Sequence, residues 1–114
     1  MMKNNNICLI DKTCMPCQGG VPPLATDVAH KLLSELGEGW NINDRGQICK
    51  EYKFNNFSEA IDCANKIAEL AEKENHHPDL EIAWGKCALK IWTHKINGLT
   101  ENDFILAAKI NCLL

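Results

Sequence analysis

Residues 57–94 read FSEAIDCANKIAELAEKENHHPDLEIAWGKCALKIWTH, and this stretch decides the fold. Its first half carries apolar residues at helical spacing: Phe57, Ile61, Ala64, Ala68 and Ala71, widened by Ala60, Ile67 and Leu70. Asp62–Lys66 and Glu69–Lys73 are i,i+4 pairs with the acid first, the orientation that supports a helix. The spacing predicts a helix beginning near Ser58. Pro78 pushes His77 out of the α region, so the helix must stop around Asn75 or His76. Beyond the proline, Leu80 to Trp84 and Cys87 to Thr93 read as a hairpin across Gly85-Lys86. In the later strand Cys87, Leu89 and Ile91 share one face, while Lys90, Trp92 and His94 share the other.

The flanks complete the pattern. Upstream, Thr26 reads as the N-cap of a first helix with Asp27 near the positive end of its dipole. Val28, Leu32 and Leu36 line a stripe with Ala29 and Leu33 beside it, and Gly37 is a natural terminator. Trp40–Asn43 and Gln47–Phe54 read as two strands joined by the turn residues Asp44-Arg45-Gly46. Downstream, Thr100 reads as an N-cap with Asp103 at N3, as in a capping box, and Leu99 placed to staple onto Phe104. Ile105, Ala107, Ala108 and Ile110 then carry an apolar face. The order α-β-β-α-β-β-α predicts a single α+β domain, a four-stranded antiparallel sheet with helices on one face. Residues 1–24 read as an N-terminal arm, with the folded domain over 25–114. Asn4–Asn6, Gly19-Gly20 and Pro22-Pro23 forbid regular structure over most of that arm.

Composition excludes several classes. A chain of 114 residues fits one compact domain, and its net charge of −3 gives no reason to expect a nucleic-acid or anionic-membrane partner. The N-terminus is polar, its apolar run Ile7–Ile10 is too short for a signal-peptide core, and no stretch approaches a membrane span. Seven cysteines, an odd number mostly within periodic apolar segments, suit reduced thiols in a cytoplasmic protein better than a disulfide framework.

His76, His77 and His94 carry the chemistry. The first two close a helix, where the dipole favours imidazolium, and the third ends a strand. On spacing alone they read equally well as two solvated loop histidines and one surface histidine. The larger pattern Glu72-x3-His76-His77-Pro78-x5-Trp84-x9-His94-x8-Asp103 resembles, at every element, the signature of the pterin-4a-carbinolamine dehydratase family. The run from Trp92 to Ile105 looks like the bacterial branch of that family almost residue for residue. The resemblance extends from about Leu24 to Ile110, and the arm with Cys14-x2-Cys17 looks like the leader of some bacterial members.

The resemblance implies a hydro-lyase that converts a 4a-hydroxytetrahydrobiopterin to quinonoid dihydropterin and water, recycling the cofactor of an aromatic amino-acid hydroxylase, phenylalanine hydroxylase in particular. By position, His76 and His94 match the family's general acid/base pair and His77 the residue that holds the pterin. Pro78, Thr93 and Lys95 match positions lining the site, and Glu72 and Asp103 match its supporting acids. Asp103 reads equally as a helix cap, and Glu72 as a solvated helix residue. Trp84 and Trp92 could stack on a flat ring, but each reads more readily as strand core or interface. Leu80 departs from relatives that carry an aromatic residue there. No cofactor is implied, since no hydride moves. No metal is implied either: a single C-x2-C lacks a second pair at ligand spacing, and adjacent His76 and His77 are poorly placed to share one tetrahedral ion. The expected partners are the pterin and a second copy of the chain, as a homodimer or homotetramer. The alternative is a dehydratase-fold interaction protein, a coactivator or assembly factor, which would have no use for the three histidines together.

Overall fold

The structure, a computed structural model, describes residues 9–12, 14 and 22–114. The readings that concern Asn4–Asn6, Ile7, Cys17 and Gly19-Gly20 lie outside the described residues. Three helices and four strands follow the expected order: α1 Thr26–Leu36, β1 Asn41–Ile42, β2 Ile48–Lys53, α2 Phe57–Glu74, β3 Asp79–Ala83, β4 Lys86–Ile91 and α3 Glu101–Leu113. The sheet is antiparallel throughout, with spatial order β1-β2-β4-β3. The two hairpins therefore meet at β2 and β4, where Ile48 faces Ile91 and Tyr52 faces Cys87.

Alternation along the strands separates the faces. Ile48, Cys87, Leu89 and Ile91 are buried on the face toward the helices, while Glu51, Lys53, Asp79, Glu81 and Lys90 are exposed on the other. The α+β class, with one helical layer on one sheet, is as the sequence predicts. Gly85 completes the β3–β4 turn in a left-handed conformation (φ 71°), and its carbonyl accepts the Phe54 N–H at 2.8 Å. A Cβ at Gly85 would stand 2.9 Å from the Phe54 carbonyl oxygen, so this crossing of the two hairpins requires glycine.

Several local expectations are corrected. The first helix is capped by Ala25, without a side-chain bond, and Thr26 is already helical; the Leu24 N–H, held by the Leu99 carbonyl at 2.8 Å, fixes the chain before Thr26 can cap it. Val28 faces solvent, and Ala29 and Leu36 carry the burial. The second helix starts at Phe57 because Asn56 caps it, its Oδ1 accepting from Glu59 N at 2.8 Å. Its buried stripe is Ala60, Cys63, Ile67, Ala71 and Glu74, whereas Phe57 and Ala68 face outward. Cys63 counts as an apolar residue here, and including it rotates the stripe. Trp84 sits in the β3–β4 turn, 73% exposed, rather than in strand core.

The third helix is the centre of the core. Every residue from Asp103 to Ala108 is buried, and Ile110 with them. A helix apolar around its circumference must be covered on all sides. Here α1, α2 and a short 3-10 turn at Leu9–Asp11 pack on α3. Leu9, expected in an irregular arm, is itself in the core.

Candidate active site

The end of α2 delivers the first two histidines. Asn75 takes the left-handed conformation (φ 54°, ψ 40°), its N–H reaches the Glu72 carbonyl at 3.3 Å, and the His76 N–H reaches that of Ala71 at 3.2 Å. This is a Schellman ending, which turns the chain sharply and leaves His76 just past the helix. His76 and His77 then point to different surroundings. His76 is 14% exposed and its Nε2 lies 2.6 Å from Asp103 Oδ1. His77 is half exposed, its Nε2 lying 2.5 Å from Glu72 Oε2 on the surface of α2.

Asp103 has no exposed surface. Its Oδ2 accepts the Thr93 hydroxyl at 2.9 Å and the Thr100 N–H at 2.8 Å, the latter closing the capping box of α3. Thr93 Oγ1 also lies 2.9 Å from Thr100 Oγ1; since the Thr93 proton goes to the carboxylate, Thr100 is the donor. One carboxylate therefore performs both of the roles considered for it: Oδ2 caps the helix and Oδ1 holds an imidazole. With a carboxylate as acceptor, the proton of His76 sits on Nε2. Nδ1 is left as the nitrogen that can gain or release a proton.

The turn after β4 presents the third histidine. Thr93 pairs with Gly98 (N–H to carbonyl 2.8 Å), and Asn97 takes a left-handed φ of 52°. This closed turn exposes His94, whose ring centroid stands 4.3 Å from that of Trp92 at a tilt of 55°. Trp92 is half-buried against the core, so it supports His94 from below. Lys95 is exposed in the same turn and Pro78 is half-buried beside His77. The structure thus ties His76, Asp103, Thr93 and Thr100 into one hydrogen-bonded network. His77–Glu72 and His94–Trp92 form two separate pairs.

Sequence reading missed the Thr100 hydroxyl in this network, and it missed the burial of Glu74 at the end of α2. The Thr100 link has no signal beyond its cap position. Glu74 had one, because it extends the Ala60–Cys63–Ile67–Ala71 stripe by a further helical step.

The thiols stand apart from this chemistry. Burial, then the Glu74 charge, pushes the Cys14 thiol up to about 12. Burial, then Cys87, does the same to Cys63, again to about 12. Burial also raises Cys87 and Cys49. Cys49 is only half-buried because its pairing with Lys90 places it on the outward sheet face. Cys112 is exposed. The thiolate is the reactive form. Among these five, brief alkylation of the folded protein at pH 8 should therefore modify Cys112 first, with Cys14, Cys63 and Cys87 protected until denaturant is added. Peptide mass mapping reads the order, and early loss of Cys63 would contradict it.

Comparisons with known proteins place the chain in a family. The family described as pterin 4 alpha carbinolamine dehydratase matches residues 22–113. A protein of Rickettsia canadensis is 62% identical over 102 residues, covering 90% of this chain and 94% of its own length. One of Rubrobacter xylanophilus is 46% identical over 105 residues, covering 92% and 97%. Both carry the name "Putative pterin-4-alpha-carbinolamine dehydratase". Among solved structures, a "transcriptional coactivator/pterin dehydratase" from Brucella melitensis superposes with a TM-score of 0.74 at 34% identity, over 80% of this chain and 97% of that one.

Proposed function

The chain belongs to the pterin-4a-carbinolamine dehydratase family of hydro-lyases, and on that premise we propose that it dehydrates a 4a-hydroxytetrahydropterin by histidine acid–base catalysis. The observation that carries this reading is the 2.6 Å contact between His76 Nε2 and the fully buried Asp103. It fixes one tautomer and leaves Nδ1 as a defined proton carrier. Hydroxide leaves poorly, so one imidazolium protonates the 4a-hydroxyl as the C4a–O bond breaks, while a base takes the proton from N5. The N5=C4a bond forms, water departs, and no electrons leave the pterin. His76 and His94 serve as the acid and base, and His77, steadied by Glu72, holds the ring. Pro78, Thr93 and Lys95 line the same site. Since the reaction needs only proton transfers, each worth about 10²–10⁴-fold, no redox cofactor enters the scheme.

The remaining parts of the reading follow from this reaction. Its substrate is the form in which a pterin-dependent aromatic amino-acid hydroxylase leaves its cofactor, and its quinonoid product needs only a two-electron reduction to return to the tetrahydro form, so the chain works beside such an enzyme, phenylalanine hydroxylase, in the cytoplasm. Among the described residues no helix is long and apolar enough to cross a membrane. The outer strands β1 and β3 and the open sheet face favour a homodimer or homotetramer. A second, non-catalytic role draws on the coactivator in the name of the Brucella structure.

The purified protein in buffer alone should accelerate the ultraviolet absorbance change that accompanies loss of water from 4a-hydroxytetrahydropterin. A rate equal to that of buffer would overturn the enzymatic reading. His77→Ala should raise KM several-fold and leave kcat within about twofold, because a residue that only holds the ring contributes equally to ground and transition states.

A further inference from the structure

The two elements that build the His76–Asp103 pair are also joined at a place the chemistry does not touch. Glu74 ends α2, two residues before His76, and Lys109 lies on α3, six residues after Asp103. Lys109 Nζ donates to Glu74 Oε2 at 2.8 Å, the two side chains being 19% and 8% exposed. The other Glu74 oxygen accepts the backbone N–H of Cys14 at 3.1 Å. Cys14 is held there by its neighbours: Leu9 is buried against α3, and Lys12 Nζ bonds Glu101 Oε2 at 2.6 Å. The Cys14 thiol reaches the Asn102 carbonyl at 3.6 Å. The segment therefore touches the residue two before His76 and both residues immediately before Asp103. Burial alone would push the Glu74 carboxyl up, but the Lys109 and Cys14 hydrogen bonds outweigh it and hold the group below its ordinary 4.5. Glu74 is thus ionised at neutral pH.

A buried ion pair is a poor way to gain stability, since apolar residues of similar volume often serve as well or better. What such a pair supplies is register. His76 lies beyond its helix and reaches Asp103 through a single hydrogen bond, so any slip between α2 and α3 moves Nδ1. A misplacement of about 1 Å can cost on the order of 10²-fold in rate. We propose that Glu74 and Lys109, clamped by the segment carrying Leu9, Lys12 and Cys14, are positioning residues that set the end of α2 against the start of α3 and so aim the His76 imidazole. The inference rests on the reading of His76 as a proton carrier.

The test is the full-length Glu74→Leu/Lys109→Met double variant, in which an apolar pair replaces the charges, with Lys109→Arg as the conservative variant. The double variant also strands the Cys14 N–H, so its Tm should fall by several degrees while the protein stays folded at the assay temperature. Its kcat should fall about 10–100-fold with KM little changed. Nitrogen-resolved NMR of the His76 ring should show mixed tautomers in place of the single Nε2–H form. Lys109→Arg should restore most of the rate and the single tautomer. Where the double variant fails to fold, Glu74→Gln removes the charge while keeping an acceptor for Cys14, and the same two readouts apply. Wild-type kcat together with a wild-type His76 signal in these variants would overturn the brace. Full activity in a His76→Ala control would instead mark failure of the proton-carrier reading. The ring NMR would then still decide whether the brace aims the imidazole.

Discussion

Replacing His76 with alanine should lower kcat for dehydration of 4a-hydroxytetrahydropterin by about 10²–10⁴-fold, with KM changed far less. The size follows from the role: the imidazole moves a proton in the transition state, and water entering the space left behind is a weaker acid and base. The side chain is 14% exposed and bonded to a buried carboxylate, so its removal also strands Asp103 Oδ1. A modest fall in Tm should accompany the rate loss. His94→Ala should lower kcat comparably with little effect on stability, because that ring is exposed. The double variant should cost less than the two losses added as free energies, as residues acting as a unit are not additive. A His76→Ala protein with wild-type kcat would remove this residue from the mechanism.

Asp103 is the second large lever, and its two replacements should separate its two functions. Asp103→Ala leaves the Thr100 N–H, the Thr93 hydroxyl and the His76 Nε2–H without the fully buried carboxylate that accepts them. An unsatisfied buried donor costs about 1–3 kcal/mol and a lost cap about 0.5–2 kcal/mol. With the Thr100 N–H counted once, as the cap, the total of about 2.5–8 kcal/mol is a large share of the stability of a domain this size, and chemical denaturation should show it. Asp103→Asn should fold better and still fail catalytically. Its carbonyl oxygen satisfies Thr93 and Thr100, which leaves the amide NH2 facing His76. An NH2 cannot accept, so Nε2 must, and the ring proton moves to Nδ1. The variant should therefore lose about 10²–10⁴-fold in kcat while keeping most of its stability, the expected result of a wrong tautomer. Wild-type kcat in Asp103→Asn would reduce Asp103 to a helix cap.

Much of this was legible in the residues. Pro78 announced the end of α2, Gly85 and Asp44-Arg45-Gly46 announced the turns, and Thr100 with Asp103 announced the start of α3. Each is a local effect, and local effects survive folding. What could not be read were choices made between distant segments. The buried stripe of α2 shifted because Cys63 packs as an apolar residue, and Val28 lost its place because α1 meets α3 through Ala29 and Leu36. The histidines were visible as a set, but nothing in their spacing told that His76 would be taken inward by Asp103 and His77 left outside with Glu72. That division depends on the left-handed Asn75, and asparagine is one of several residues that could end a helix so. The docking of Leu9 and Cys14 was invisible for a related reason: a stretch rich in turn residues says nothing of what it lies against.

The burial of α3 on every side bears on how the protein comes to exist in a cell. Domains tend to fold as their residues emerge during synthesis, at about 5–20 residues per second. Here the element to which the others are fastened is the last of the described elements to leave the ribosome. Until Phe104, Leu106 and Ile110 arrive, α2 can dock on β3 and β4, but the faces of α1 and α2 that pack on α3 stay uncovered. The same holds for the chemistry, since the carboxylate that orders His76 is delivered with that helix. Core and catalyst are thus completed by one and the same helix.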